Sequence, residues 1–485
     1  MIYGLIVGLL ILGPLLVLGG ANLLRVILEK AGHPSGLAIL FLTEVWERLS
    51  YYGMRALLVL YMVEAMTGGG FGFANAKATQ IYGYYTSAVY LTAIPGGWIA
   101  DNILGAKNAV ILGGIIIALG QFTLAAPSPE VFYLGLFLII IGTGFLKPNI
   151  SAMVGALYKQ GDVRRDAGFS IFYMGINLGA LLAPLTCGFV AQDPRFKAWL
   201  IQSGVDPHTC WRWAFAVAGF GMSLGVMQFL FGRKYLEAVG NRPIGKSASA
   251  EAVANAKSQQ PEGYDKPITR EDYKRLGAVI IFCTFAVLFW AVFEQAGSSL
   301  TLFADQMTNN QVLGIPYPSS YYQSVNPFFI IALTPLFAWM WVKWGEKQPS
   351  TPLKFGIGLF FVGVGFVVAA YASSIAGSTN AKVAAWWLIA VYFIHTVGEL
   401  CLSPVGLSTM TKLAHPKLVG MVMGIWFLAP AIGNFIGGFV AGYFDAKDPA
   451  IVVKLFGILG CVAIGGGVVM ALLTPVIRKL MGNVR

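Results

Sequence analysis

Charge is scarce in this 485-residue chain: ionised side chains make up 11% of it, while 57% is hydrophobic. Soluble domains carry roughly 25% charged residues, so a water-soluble enzyme is excluded. Histidine is also scarce. His33, His208 and His415 fall in predicted loops, and His395 reads as a polar packing residue in an apolar segment. The five cysteines form no framework. Cys187, Cys283, Cys401 and Cys461 lie in apolar segments and Cys210 in a predicted loop, with no CxxC or zinc spacing. They read as small packed hydrophobes. There is no P-loop and no G-x-S-x-G, so no nucleotide, metal or other cofactor is expected. Gly113-Gly114 and Gly465-Gly466-Gly467 suit close helix packing instead. The formal charge of +11 would suit nucleic acid, but no soluble basic domain carries it. A nutrient receptor would need a large soluble output domain, and an intramembrane hydrolase a Ser, His and Asp set on facing helices; neither is found.

What the chain has in quantity is apolar runs long enough to cross a bilayer, for which about 20 residues suffice. The pattern predicts helices over 36–66, 76–101, 106–127, 130–157, 167–191 and 213–232. A polar stretch rich in Ala, Ser, Lys and Gln follows, read as a linker with a short surface helix. Six more helices are expected over 275–303, 325–344, 353–374, 384–411, 418–443 and 452–477. The apolar stretch at 2–18 lacks the basic flank of a signal peptide and is expected to be an additional membrane helix, with an interfacial helix as the alternative. The organisation is thus an extra N-terminal helix (1–32), a six-helix half (33–232), a linker (233–273) and a second six-helix half (274–485). This is an all-α polytopic membrane protein, and two six-helix halves joined by a polar linker suggest the major facilitator arrangement. Placing the linker and the C-terminus on the cytoplasmic side puts roughly 23 Lys and Arg there against about 7 opposite, as expected for positive-inside orientation.

Against this background a few charges stand out. Glu44, Glu47, Arg48 and Arg55 sit inside the first long apolar run. Each would cost at least about 2.5–3.5 kcal/mol facing lipid. Glu44, Arg48, Tyr51, Tyr52 and Arg55 share one helical face, which must look into protein or a wet cavity. Lys147, Glu294 and Glu399 are each nearly alone on their segments. Four acids face three bases, so one negative charge is in excess, and in low dielectric such an excess favours a proton-binding carboxylate. Mutual bracing of Glu44 and Arg48, one turn apart, is an equal reading of that pair. Charges of both signs suit a zwitterionic solute better than a neutral one or a lone anion.

Several stretches then match one family in order. Glu44-x-x-Glu47-Arg48-Leu49-x-Tyr51-Tyr52-Gly53 resembles the ExxERFxYYG signature of the proton-coupled oligopeptide transporters, with Leu49 at the usual Phe position. Gly97-Trp98-Ile99-Ala100-Asp101, with Gly105 and Lys107, is similar to the major facilitator loop motif, Asn102 replacing its first basic residue. Gly144-Phe145-Leu146-Lys147-Pro148-Asn149 resembles the fourth-helix motif, and Phe172-Tyr173-Met174-Gly175-Ile176-Asn177-Leu178-Gly179-Ala180 resembles FYxxINxGS, with Ala180 for Ser. Phe289-Trp290 through Glu294-Gln295 and Gly398-Glu399-Leu400-Cys401-Leu402-Ser403-Pro404 are similar to the seventh- and tenth-helix motifs. The resemblance begins near Gly36 and leaves the N-terminal segment outside.

The resemblance implies a symporter of di- and tripeptides and protons, of bacterial inner-membrane type and monomeric, driven by the proton gradient through rocking of two six-helix bundles. It implies that Glu44, Glu47 and Arg48, with Glu294, couple the proton. Arg55 and Lys147 would take the peptide carboxylate, and Glu399, Asn177 and Asn326 the amino end. Tyr52, Tyr90 and Tyr173 would contact the peptide, and Trp290 and Trp426 would line its pockets. Pairs Arg55–Glu294 and Lys147–Glu399 would gate opposite sides. For the tyrosines and tryptophans the alternative is packing or an interfacial belt, and for the two asparagines helix-to-helix bonding. A same-fold carrier of another solute, such as nitrate or an amino-acid derivative, is the alternative function; the acid-rich inventory disfavours a simple anion.

Overall fold

Helix starts in this chain are written as short polar words. The computed structural model describes residues 19–159, 162–237, 239–241 and 267–482. The expected helix at 2–18 and the linker's surface helix lie outside these residues. Within them, Ser128 precedes Pro129 and caps Pro129–Ala156 (α6), its hydroxyl accepting from Val131 N. Asp193 and Asp448 do the same before Pro194–Gln202 (α8) and Pro449–Met481 (α16). Pro at the first helical position costs nothing there, because its missing N–H would be unpaired anyway. Thr269 and Asp272 form a reciprocal capping box. That box starts Arg270–Phe293 (α10) five residues before the expected position 275, because it converts linker-like polar residues into a helix start.

The remaining helices are the helical residues 19–30 (α1), Gly36–Val63 (α2), Asn75–Leu91 (α3), Ala93–Ile99 (α4), Ala106–Leu124 (α5), Arg164–Gln192 (α7), Cys210–Gly232 (α9), Ser299–Gln306 (α11), Val325–Trp344 (α12), Thr351–Thr379 (α13), Ala385–Leu413 (α14) and Val419–Ala441 (α15). Among the described residues, ten helical segments are long and apolar enough to cross a membrane. α2 has the length but carries the four ionisable side chains noted above.

Two expected single helices are broken. The stretch 76–101 ends one helix at Leu91 and restarts at Ala93. A proline ring clashes with the carbonyl four residues before it, and for Pro95 that carbonyl belongs to Leu91. Thr92 instead bonds across to α6, its hydroxyl donating to Ile140 O at 3.0 Å. The stretch 275–303 breaks at Glu294–Gly297, which forms a tight 3-10 turn before α11. There Gly297 lies against the Tyr82 hydroxyl with no room for a Cβ. Cys210, expected in a loop, begins α9 and is buried.

The chain divides into two compact units. The first comprises Met1–Phe73, Leu91–Ser247 and Pro318–Pro327. In it α2 packs on α7 and α9, and α5 on α6 and α9. Tyr61 anchors one end through ring contacts with Phe71, Phe132, Trp211 and Phe215. At the other end Arg164 hydrogen-bonds Asp162, which holds that carboxyl down at about 2, and also donates to Gly32 O. The second unit comprises Ala74–Tyr90, Ala248–Tyr317 and Phe328–Arg485. Here α13 packs on α16 and α14, and α10 on α15 and α16. α3 meets α15 where a Cβ on Gly83 would lie 2.9 Å from Gly438 Cα. Gln311–Val312 and Ile315–Pro316 form a small hairpin (β2, β3), while Thr308–Asn309 (β1) pairs in parallel with Val383–Ala384 (β4).

Candidate functional site

In the first unit, α2 carries a buried group of three ionisable residues. Glu44, Glu47 and Arg48 are each at most 4% exposed. Arg48 Nε donates to Glu44 Oε1 at 2.6 Å. The same nitrogen lies 2.8 Å from Glu47 Oε2, close enough for an ion pair, yet Glu47 makes no well-aligned hydrogen bond through either oxygen. Glu44 Oε2 is likewise without a hydrogen-bond partner. One guanidinium therefore serves two buried carboxylates and saturates neither. A group left in that condition is costly, since buried charges demand both pairing and hydrogen bonds. Such a trio is poised to take up a proton or to exchange partners.

The spacing of α2 brings the rest of its face into line. Arg48 lies 5.9 Å from the Tyr51 ring centre and Arg55 5.5 Å from that of Tyr52, so each guanidinium has an aromatic neighbour. The two tyrosines meet edge to face at 5.2 Å. Arg55 is 9% exposed and Tyr52 half-buried. Lys147, half-buried on α6 beside Pro148, lies within electrostatic reach of Glu47. Asn177 on α7 is buried and donates to the Tyr173 carbonyl one turn back, at 3.0 Å. Tyr173 itself is 39% exposed. Asn326, at the start of α12, is half-buried and belongs to this first unit.

Glycines let α7 come this close to α2. A Cβ on Gly179 would stand 2.5 Å from Val45 O and 2.6 Å from Arg48 Cβ. One on Gly53 would stand 2.5 Å from Cys187 Sγ. The Tyr-Tyr-Gly and Asn-x-Gly motifs are therefore the two sides of one helix contact, and that contact seats the Arg48 side chain. Gly179→Val is expected to lower the stability of the purified protein by about 1–3 kcal/mol, the usual cost of overpacking. Thermal melting in detergent checks it; an unchanged midpoint would mean the helices part freely.

The second unit holds the other members. Glu294 is 6% exposed at the break after α10. Trp290 is half-buried, stacks edge-on with Phe289 and Phe293, and lies where Gly433 of α15 leaves room. Glu399 is half-buried midway along α14. Trp426 is 6% exposed and lies over Gly406, with the Phe355 ring 6.2 Å away. Tyr90, near the end of α3, is half-buried and falls in this unit. His395 fills the gap left by Gly365 and stacks at 4.8 Å on Phe366, as a packing residue would.

Two buried polar residues, one in each unit, carry no expected role. Gln121 on α5 is fully buried and donates to Ser50 O and Ser50 Oγ of α2, both at 3.2 Å. Gln295 donates to Gly437 O at 3.0 Å and accepts from the Ser299 hydroxyl at 2.6 Å, which braces the break at Glu294. Gln295 lies within a motif and Gln121 in none. A buried Gln inside an apolar run is the only mark either leaves in the sequence.

This chain is similar to a family of transporters. The model of the POT family matches residues 107–259 and 246–454. The uncharacterized transporter YclF of Bacillus subtilis is 39% identical over 93% of this chain and 96% of its own length. The peptide transporter YePEPT of Yersinia enterocolitica is 37% identical over 93% of this chain and 96% of its own. Among solved structures, a mutant of a peptide transporter POT in complex with alafosfalin superposes with a TM-score of 0.81 and 38% identity, covering 93% of this chain and 96% of that one. The chain belongs to the POT family of transporters and has the major facilitator fold; it is a multi-pass membrane protein.

Proposed function

We propose that this chain imports di- and tripeptides together with protons by alternating access, as a monomer in a bacterial inner membrane with its linker and C-terminus cytoplasmic. The observation that carries the reading is the unequal sharing of Arg48 by two buried carboxylates, Glu44 and Glu47. The first unit keeps two further cations, Arg55 and Lys147, whereas the second contributes the carboxylates Glu294 and Glu399. A zwitterion answers both signs. Its carboxylate is taken by Arg55 and Lys147, and its amino group by Glu399, Asn177 and Asn326. Tyr52, Tyr90 and Tyr173 contact the backbone, and Trp290 and Trp426 shape room for side chains. Arg55 pairs with Glu294 and Lys147 with Glu399 in alternate states, and substrate competing for either cation links binding to closure. Several relatives are named as di-/tripeptide transporters, for example in Lactococcus lactis. The work is done by the proton gradient and needs no cofactor or catalytic residue.

Counterflow in liposomes tests the reading. Internal dipeptide and tripeptide are expected to drive exchange of labelled dipeptide, tetrapeptide much less so, and a pH gradient is expected to make uptake concentrative. Exchange that internal peptide fails to stimulate would overturn the substrate class. A second reading, an amino-acid derivative as substrate, draws on a POT family transporter solved with 5-aminolevulinic acid, 31% identical with a TM-score of 0.79. Competition decides: 5-aminolevulinic acid outcompeting every dipeptide would favour it.

A further inference from the structure

Within the second unit, α12 leaves its neighbours along its later half. From Ile331 to Trp344 no side chain on it is buried, although it belongs to an apolar spanning segment. The space it leaves is a cavity of about 1160 Å³, bounded by α12, α13, α14 and α16. Part of its lining is apolar, with Phe337, Trp341 and Val405. Lys354, Lys412 and Arg478 also line it, against one carboxylate, Glu346. Lys354 is only 8% exposed and is held in place: its ammonium donates to Gln348 Oε1 at 2.7 Å and sits 4.1 Å from the Trp341 ring centre. On the same helix, Trp339 and Trp344 are exposed and Lys343 lies 4.6 Å over the Trp339 ring. Exposed tryptophans interleaved with lysines mark the depth of lipid headgroups.

We propose that this cavity binds an anionic phospholipid, its phosphate on Lys354, Lys412 and Arg478 and one acyl chain against Phe337 and Trp341. Three cations against one carboxylate select a negative headgroup over a zwitterionic one, and the volume far exceeds what a free phosphate fills. The apolar wall is continuous with the bare face of α12, so a lipid enters sideways from the bilayer. The proposal rests on the membrane placement of the chain and on no assignment of its substrate.

Native mass spectrometry of the full chain in neutral detergent tests it, with phosphatidylglycerol and phosphatidylcholine of identical acyl chains as probes. Phosphatidylglycerol is expected to be retained about 10-fold more tightly, and Lys412→Gln and Arg478→Gln each to weaken it about fivefold. Both side chains are exposed, so neither change bears on folding. Val405→Trp keeps every charge and fills the apolar wall; it is expected to remove the tightly held lipid. Inorganic phosphate is expected to leave the adduct intact. Equal retention of the two lipids, a preference that survives the double Gln variant, or displacement by inorganic phosphate would each overturn the proposal. So would a Val405→Trp protein that melts like the parent and still holds the lipid.

Discussion

Arg48→Gln is expected to cost about 3–5 kcal/mol of stability, the range seen when one partner of a buried ion pair is removed. The reason lies in the geometry. Arg48 is the guanidinium in contact with both Glu44 and Glu47, at 2.6 and 2.8 Å, and all three are sealed from solvent. Taking it away leaves two carboxylates facing each other in low dielectric. The variant is expected to survive only by binding protons, so its melting midpoint should rise as pH falls, opposite to the usual effect of acid. The triple variant Glu44→Gln, Glu47→Gln, Arg48→Gln removes the charges together and is expected to recover most of the loss, since the large cost is that of a buried charge left without its partner. It is expected to remain inactive in concentrative uptake. Melting curves across pH for the single and triple variants check both. A single variant as stable as its parent would mean that the trio is solvated and that its charges do not depend on one another.

The difference between what was legible and what was not follows the range of the interaction. The Glu44–Arg48 contact could be read from the chain because ionised residues in an apolar run have few permitted surroundings and these two are one turn apart, whereas the grouping of Glu47 with them was implied by the family resemblance. The capping box at Thr269 and Asp272 is as local, and the start of α10 was misplaced only because the polar residues around it read as linker. The break at Leu91 was likewise written in Pro95, but proline is tolerated inside membrane helices, as Pro148, Pro184 and Pro430 are here, so a proline alone does not mark a break. Gly179 against Arg48, Gln121 against Ser50 and Gln295 against Gly437 are contacts between helices far apart in sequence. Periodicity carries no information about which helix a side chain meets. The departure of α12 from its neighbours is the extreme case, since an apolar helix looks the same whether protein or lipid covers it.

Glu47→Gln is expected to abolish concentrative uptake while leaving exchange of peptide across the membrane intact. Of the two carboxylates sharing Arg48, Glu47 is the one with neither oxygen in a good hydrogen bond, whereas Glu44 holds the 2.6 Å contact. Glu47 also lies within electrostatic reach of Lys147. A peptide carboxylate arriving at Lys147 would draw that positive charge away from Glu47 and make its proton harder to release. Bound peptide and bound proton would then favour each other, and by reciprocity the proton would tighten peptide binding. Glutamine mimics the protonated acid in shape but cannot lose the proton. One proton moving down 100 mV supplies roughly 2.3 kcal/mol, enough for about 50-fold accumulation of a neutral zwitterion. The parent is expected to approach that ratio in proteoliposomes, and Glu47→Gln to stop near unity with counterflow within about threefold of the parent. Asn177, whose amide is occupied by the Tyr173 carbonyl, offers the contrast: Asn177→Ala is expected to weaken peptide affinity without changing the accumulation ratio at saturation. If Glu47→Gln accumulates peptide as steeply as the parent, the proton travels elsewhere, and Glu294 becomes the carboxylate to remove next.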